Sequence, residues 1–152
     1  MEAIVLCGLQ GAGKTTLYRE RWRATHVRIS MDELGTRARE AALLEQCLAD
    51  GRPFVVDNTN PTPAERRRYI TPAREAGFRV VGYLVDADAS EALARNAGRE
   101  GRARIPDSGV GGTARRFLRP APQEGFDELW HATAVPGGGF RLEPLASTEP
   151  LF

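Results

Sequence analysis

Gly8-Leu9-Gln10-Gly11-Ala12-Gly13-Lys14-Thr15 is a full match to the pattern G-x-x-x-x-G-K-S/T, and Lys14 is the only lysine in a chain with twenty arginines. A compact ammonium can reach over a tight glycine turn, where a planar guanidinium is too wide. A loop of this kind holds phosphates on its backbone amides and on the N-terminus of the following helix. The lysine then reaches the β- and γ-phosphates and the adjacent hydroxyl can meet Mg²⁺. Gly8, Gly11, Ala12, Gly13, Lys14, Thr15 and Thr16 are accordingly the expected triphosphate-binding set, with Thr15 also a metal ligand.

Two acids follow apolar runs: Asp32 in Ile29-Ser30-Met31-Asp32 and Asp57 in Val55-Val56-Asp57. The polar cluster Asn58-Thr59-Asn60 continues from Asp57, and since Thr62 and Pro63 already supply the local turn and cap, this cluster is free to bind something. Asp32 reads equally well as a helix cap or as a base. The class of reaction narrows by elimination. A base-reading N-K-x-D or T-K-x-D element cannot exist in a chain whose one lysine is Lys14, so guanine-specific switches are excluded. Asp57 is followed by Asn58 rather than by the glutamate with which many ATP-driven machines activate water. What remains is phosphoryl transfer to an acceptor, in which an acid takes a proton from a hydroxyl and arginines neutralise the moving group.

These residues need strands and helices to position them. Residues 3–7 read as a strand running into the loop, and 14–24 as the helix after it. Further strands are expected at 26–29, 53–56 and 79–85, and a last apolar run at 130–135. Helices are expected at 32–49, from Pro63 to a stop at Gly77, from Glu91 towards Glu100, and near 111–118. This alternation implies an α/β fold with a parallel β-sheet flanked by helices on both faces and a ligand at the carboxyl ends of the strands. One domain over 1–135 is expected, and 136–152, rich in glycine and proline, is given no structure.

The net charge of +1 announces neither a nucleic-acid nor a membrane partner, but seven arginines against two acids between Arg95 and Arg119 make one stretch electropositive. Cys7 and Cys47 read as buried free thiols, which fits a reducing cytoplasm. No apolar run approaches the ~20 residues of a membrane span. Tyr18, Trp22 and Phe117 read as core before they read as base-stacking platforms. His26 and His131 lack metal-ligand spacing.

Asp57-Asn58-Thr59-Asn60-Pro61, the Arg66-Arg67-Arg68-Tyr69 segment, Ile29 to Gly35, Ile105-Pro106, Arg115-Arg116-Phe117 and Pro122-Gln123-Glu124-Gly125-Phe126 together resemble the kinase domain of 5′-polynucleotide kinases, a P-loop kinase family. The resemblance extends from the first strand to about Leu129. It implies an ATP- and Mg²⁺-dependent kinase acting on the 5′-OH of DNA or RNA, with Asp32 as general base and Lys14 and Thr15 on the phosphates and metal. A helical lid at about 91–106 would bring Arg99, and with it Arg95, over the donor phosphates, with Arg102 and Arg104 as further candidates. Asp57 would serve the metal and the acceptor side, with Asn58, Thr59 and Asn60 beside it. The family places N-R-D where this chain has Ser30-Met31-Asp32, so acceptor contacts fall to Arg37 or Arg39, or to Arg66, Arg67 and Arg68 from the other wall. The alternatives are a small-molecule kinase for a nucleoside, sugar or antibiotic hydroxyl, and an ATP-dependent nucleic-acid-binding module.

Overall fold

The computed structural model describes residues 1–87 and 116–145. The expected lid and its arginines Arg95, Arg99, Arg102 and Arg104 lie outside the described residues, as does most of the helix expected near 111–118.

The first strand, β1 (Glu2–Cys7), leads through the glycine loop into α1 (Lys14–Arg21), followed by β2 (Val27–Ile29), α2 (Met31–Leu34), α3 (Arg37–Asp50), β3 (Phe54–Asp57), α4 (Pro63–Glu75) and β4 (Arg79–Ala87). After a 3₁₀ turn at Pro122–Glu124 come β5 (Glu128–Ala134) and β6 (Phe140–Pro144). The strands form one sheet in the order β2-β3-β1-β4-β5-β6. The first five are mutually parallel, as expected.

Alternation along β1 builds a core on each face. Ala3, Val5 and Cys7 pack with Leu44 and Cys47 of α3 and Tyr69, Ile70 and Ala73 of α4. Ile4 and Leu6 face Leu17 and Tyr18 of α1, with Trp22 just beyond it. Helices therefore cover both faces, and the central strand is apolar throughout because both of its faces are buried. Tyr18, Trp22 and Phe117 are buried core residues, as their sequence context indicates.

Two local differences have clear causes. The helix expected over 32–49 is broken into α2 and α3 because Gly35 adopts φ +84 and Thr36 restarts the helix as a cap, its hydroxyl accepting from Arg39 N. Residues 140–144, in the segment given no structure, form β6 antiparallel to β5. The turn between them closes with Val135 N bonding Gly139 O at 3.2 Å. So short a connection cannot cross over to a parallel strand, which makes the sheet mostly rather than wholly parallel.

Both cysteines are free and buried. Burial pushes the Cys7 thiol up to about 12, against the lowering pull of the Arg66 guanidinium. A thiol whose folded pKa exceeds its unfolded value contributes stability that is complete below the unfolded value near 9 and is lost as pH rises through the interval up to about 12. Urea titrations should therefore show stability falling from pH 9 to 11. Cys7→Ala should flatten that fall by up to about 1.4 kcal/mol per pH unit, leaving the share of the Cys47 thiol and of the Tyr18, Tyr69 and Tyr83 hydroxyls, all of which burial also pushes up. An unchanged slope in the variant would show that Cys7 ionises as freely folded as unfolded.

Candidate active site

The phosphate loop leaves β1 at Gly8, which is buried so closely against β4 that a Cβ there would collide with the Val85 carbonyl. Gly8 N donates to Thr59 O at 3.0 Å, tying the loop to the segment after β3. Lys14 folds over the turn, its Nζ donating to Gly8 O at 2.9 Å and Leu9 O at 3.1 Å. Burial pushes the Lys14 ammonium below its ordinary value, with Asp57, Cys7 and Asp32 pulling the other way. An anion in the loop would add to that pull. On the other side of the loop, the ring of Phe140 from β6 lies against Gly13, 3.2 Å from where a Cβ would stand.

Thr15 Oγ1 donates to Asp57 Oδ2 at 2.9 Å, so the hydroxyl that opens α1 and the carboxylate that ends β3 meet as adjoining oxygens. Hard oxygens of this kind suit Mg²⁺, which takes few protein ligands and keeps waters and substrate phosphates as the rest. Thr15 and Asp57 therefore fit as the residues that would hold the ion. Among the described residues, no group of three or more His, Cys, Asp or Glu side chains offers an alternative metal site.

A second network places Asp32. Asn58 Oδ1 accepts from Met31 N at 2.9 Å, fixing the start of α2, and its Nδ2 donates to Glu40 Oε2 at 2.9 Å and to Tyr69 Oη at 3.1 Å. Tyr69 Oη in turn donates to Glu40 Oε1 at 3.0 Å, and Arg37 Nη1 joins the same carboxylate at 2.8 Å. Burial, and after it the Glu40 carboxylate, push the Tyr69 hydroxyl up, which keeps it a donor. Asp32 is the second residue of α2 and is exposed, while Ser30 stands at the cap position.

A third anchor sets the loop after Asn58. Asn60 has φ 47, and its buried Nδ2 donates to Leu6 O at 2.7 Å. Arg66, fully buried, donates through Nη1 to Asn60 O at 2.7 Å and meets Glu124 Oε1 and Oε2 through Nε and Nη2 at 2.7 and 3.1 Å. Arg66 is thus an internal brace rather than a grip on a strand.

These anchors enclose a cavity of about 730 Å³ that brings together Gly11, Gly13, Lys14, Thr15, Thr16, Asp32, Arg37, Asp57, Asn58, Thr59 and Asn60. Gly8 and Ala12 are buried in the loop beneath it. Arg67 is exposed on α4 and is not among the lining residues. Arg39 lies on the outer side, bonding Leu34 O at 3.4 Å. Asn58 and Asn60 line the cavity while their side chains serve the internal bonds above.

Four participants were given no site role by the sequence. Glu40 and Tyr69 sit at ordinary helical positions. Arg116 lines the cavity and pairs with Glu65 at 3.5 Å. Arg28 donates to Asp57 Oδ2 through Nε at 2.9 Å, and its Nη2 lies 2.8 Å from the same oxygen. A charged residue inside the short apolar run of β2 is the one cue that could have marked it.

A family model described as AAA domain matches residues 34–120, more than half of the chain. The bifunctional polynucleotide phosphatase/kinase of Schizosaccharomyces pombe is 28% identical over 134 residues, and a putative bifunctional polynucleotide phosphatase/kinase of Acanthamoeba polyphaga mimivirus is 25% identical over 136. Each alignment takes in 84% of this chain but 32% of the relative, so the chain spans about a third of the length of these relatives. Among solved structures, Chaetomium thermophilum Kti12 in complex with ADP-AlF3 has a TM-score of 0.62 at 19% identity, covering 85% of this chain and 87% of that one. A gluconokinase from Sinorhizobium meliloti 1021 has a TM-score of 0.61 at 16% identity, covering 87% and 82%. These two likenesses speak for the fold. No helix among the described residues is long and apolar enough to cross a membrane.

Proposed function

The chain belongs to the AAA-domain family whose model its residues 34–120 match, and from that premise we propose that it is a kinase transferring the γ-phosphate of ATP to the 5′-OH end of DNA or RNA. The observation that carries this reading is the position of Asp32, on the wall of the same cavity as Lys14 and Thr15 and held there through the Asn58 bond to Met31 N. The similarity to two polynucleotide phosphatase/kinases supports the acceptor class.

In this mechanism the loop amides and Lys14 orient the donor phosphates, and Asp32 accepts the proton of the attacking hydroxyl. Mg²⁺, when held by Thr15 and Asp57, supplies charge stabilisation to the phosphoryl oxygens. Arg37 and Arg116 line the cavity and would neutralise the acceptor, and Arg99 and Arg95, outside the described residues, would cover the donor as the resemblance implies. Thr59 lines the space beside Asp57 for the strand end.

The test is transfer of labelled γ-phosphate to 5′-OH DNA and RNA oligonucleotides, with nucleosides and gluconate as competing acceptors. Oligonucleotides should be labelled, their binding should weaken with salt, and Lys14→Ala should abolish labelling. Labelling of gluconate or nucleosides in preference to any strand end would replace this reading with that of a small-molecule kinase.

A further inference from the structure

The oxygens that suit a metal ion already carry a cation. Arg28 reaches from β2 at the sheet edge and places Nε 2.9 Å and Nη2 2.8 Å from Asp57 Oδ2, while Nη2 also donates to Thr15 Oγ1 at 3.2 Å. The Asp57 side chain is 2% exposed. A carboxylate so far removed from water is costly to leave without a partner, so some cation has to stand there. A guanidinium and Mg²⁺ drawn to the same oxygen repel each other, so each weakens the other's hold on it.

We propose that Arg28 is a built-in substitute for the metal ion: it bridges Thr15 and Asp57 while no ion is bound and must yield both oxygens when Mg²⁺ arrives with nucleotide. The molecule has room for the exchange. Nη1 of Arg28 already contacts the exposed Glu33 carboxylate at 3.1 Å, and beyond it opens a cleft of about 520 Å³ lined by Tyr18, Arg19, Arg23, Arg28 and Glu33. The site thereby keeps its buried acid neutralised in both states, and the affinity for Mg²⁺ is reduced by whatever holds Arg28 in place. This inference rests on reading Thr15 and Asp57 as the metal side of a nucleotide site, and does not depend on the acceptor.

The experiment measures ADP binding by calorimetry at graded Mg²⁺ for wild type, Arg28→Gln and Arg28→Lys, together with thermal unfolding in EDTA and in saturating Mg²⁺ and ADP. Arg28→Gln should need about three- to tenfold less Mg²⁺ for half-maximal ADP binding. Arg28→Lys, which keeps the charge but cannot span both oxygens, should fall between. Arg28→Gln should also unfold at lower temperature than wild type in EDTA, and that gap should close with Mg²⁺ and ADP. An equal gap in both conditions would make Arg28 a merely structural residue. An unchanged or raised Mg²⁺ requirement, or a lysine variant identical to wild type, would equally overturn the proposal. Should wild-type ADP binding show no dependence on Mg²⁺, the reading of Thr15 and Asp57 beneath it fails, whatever the variants do.

Discussion

Asp32→Asn should lower phosphoryl transfer by about 10²- to 10⁴-fold while leaving nucleotide affinity close to that of wild type. Asparagine keeps the size and polarity of the side chain but cannot accept a proton, so the change isolates the proposed base function. Little else should move. Asp32 is exposed at the second position of α2, and the hydrogen bond that fixes this short helix uses Met31 N and Asn58 rather than the Asp32 carboxylate. The proposed donor contacts come from a different element, the loop between β1 and α1, where Lys14 folds over the turn. Turnover and ADP affinity measured side by side decide the matter. Transfer within about tenfold of wild type would mean that another group takes the proton or that none needs to be taken.

The largest loss of stability is expected from Arg66→Met. Arg66 is fully buried, and its removal strips the Glu124 carboxylate of two hydrogen bonds and the Asn60 carbonyl of one. Breaking a buried ion pair from one side costs about 3–5 kcal/mol, because the remaining charge is left without a partner. Among the described residues, Glu124 would keep only its bond from Ala121 N at 2.9 Å. The companion double variant Arg66→Met with Glu124→Met should recover part of the loss, since no buried charge is then stranded. Chemical denaturation of both variants tests this, and a single variant within about 1 kcal/mol of wild type would show that water reaches Glu124 freely.

The central machinery was legible because its chemistry is local. A glycine loop between an apolar run and a helix, and an acid at the end of a buried strand, are placed by short-range rules, and β1, β3, Lys14, Thr15 and Asp57 meet where those rules put them. Thr62 likewise caps α4, accepting from Glu65 N. The bracing of the site was illegible because it joins residues far apart in the chain. Arg66 and Glu124 belong to different elements, and so do Arg28 and Asp57. In each case an arginine that looks like surface charge in sequence proves to be at least partly enclosed. Gly35 was a visible cue to the break between α2 and α3, yet the apolar periodicity on either side masked it. β6 was hidden by its brevity and by the glycine-rich turn that precedes it.

The contact between Phe140 and Gly13 bears on how this unit could be excised or spliced into another polypeptide. A fragment ending at residue 135 would retain every residue of the proposed phosphate loop and would nonetheless lose a wall of it, because the ring against Gly13 arrives on β6. Leu145, buried and bonded through its N to Leu129 O at 3.1 Å, fastens that strand's far end. A transplantable cassette therefore has to run through Leu145, and a shorter one should bind nucleotide loosely for a mechanical reason, with all its chemical groups intact.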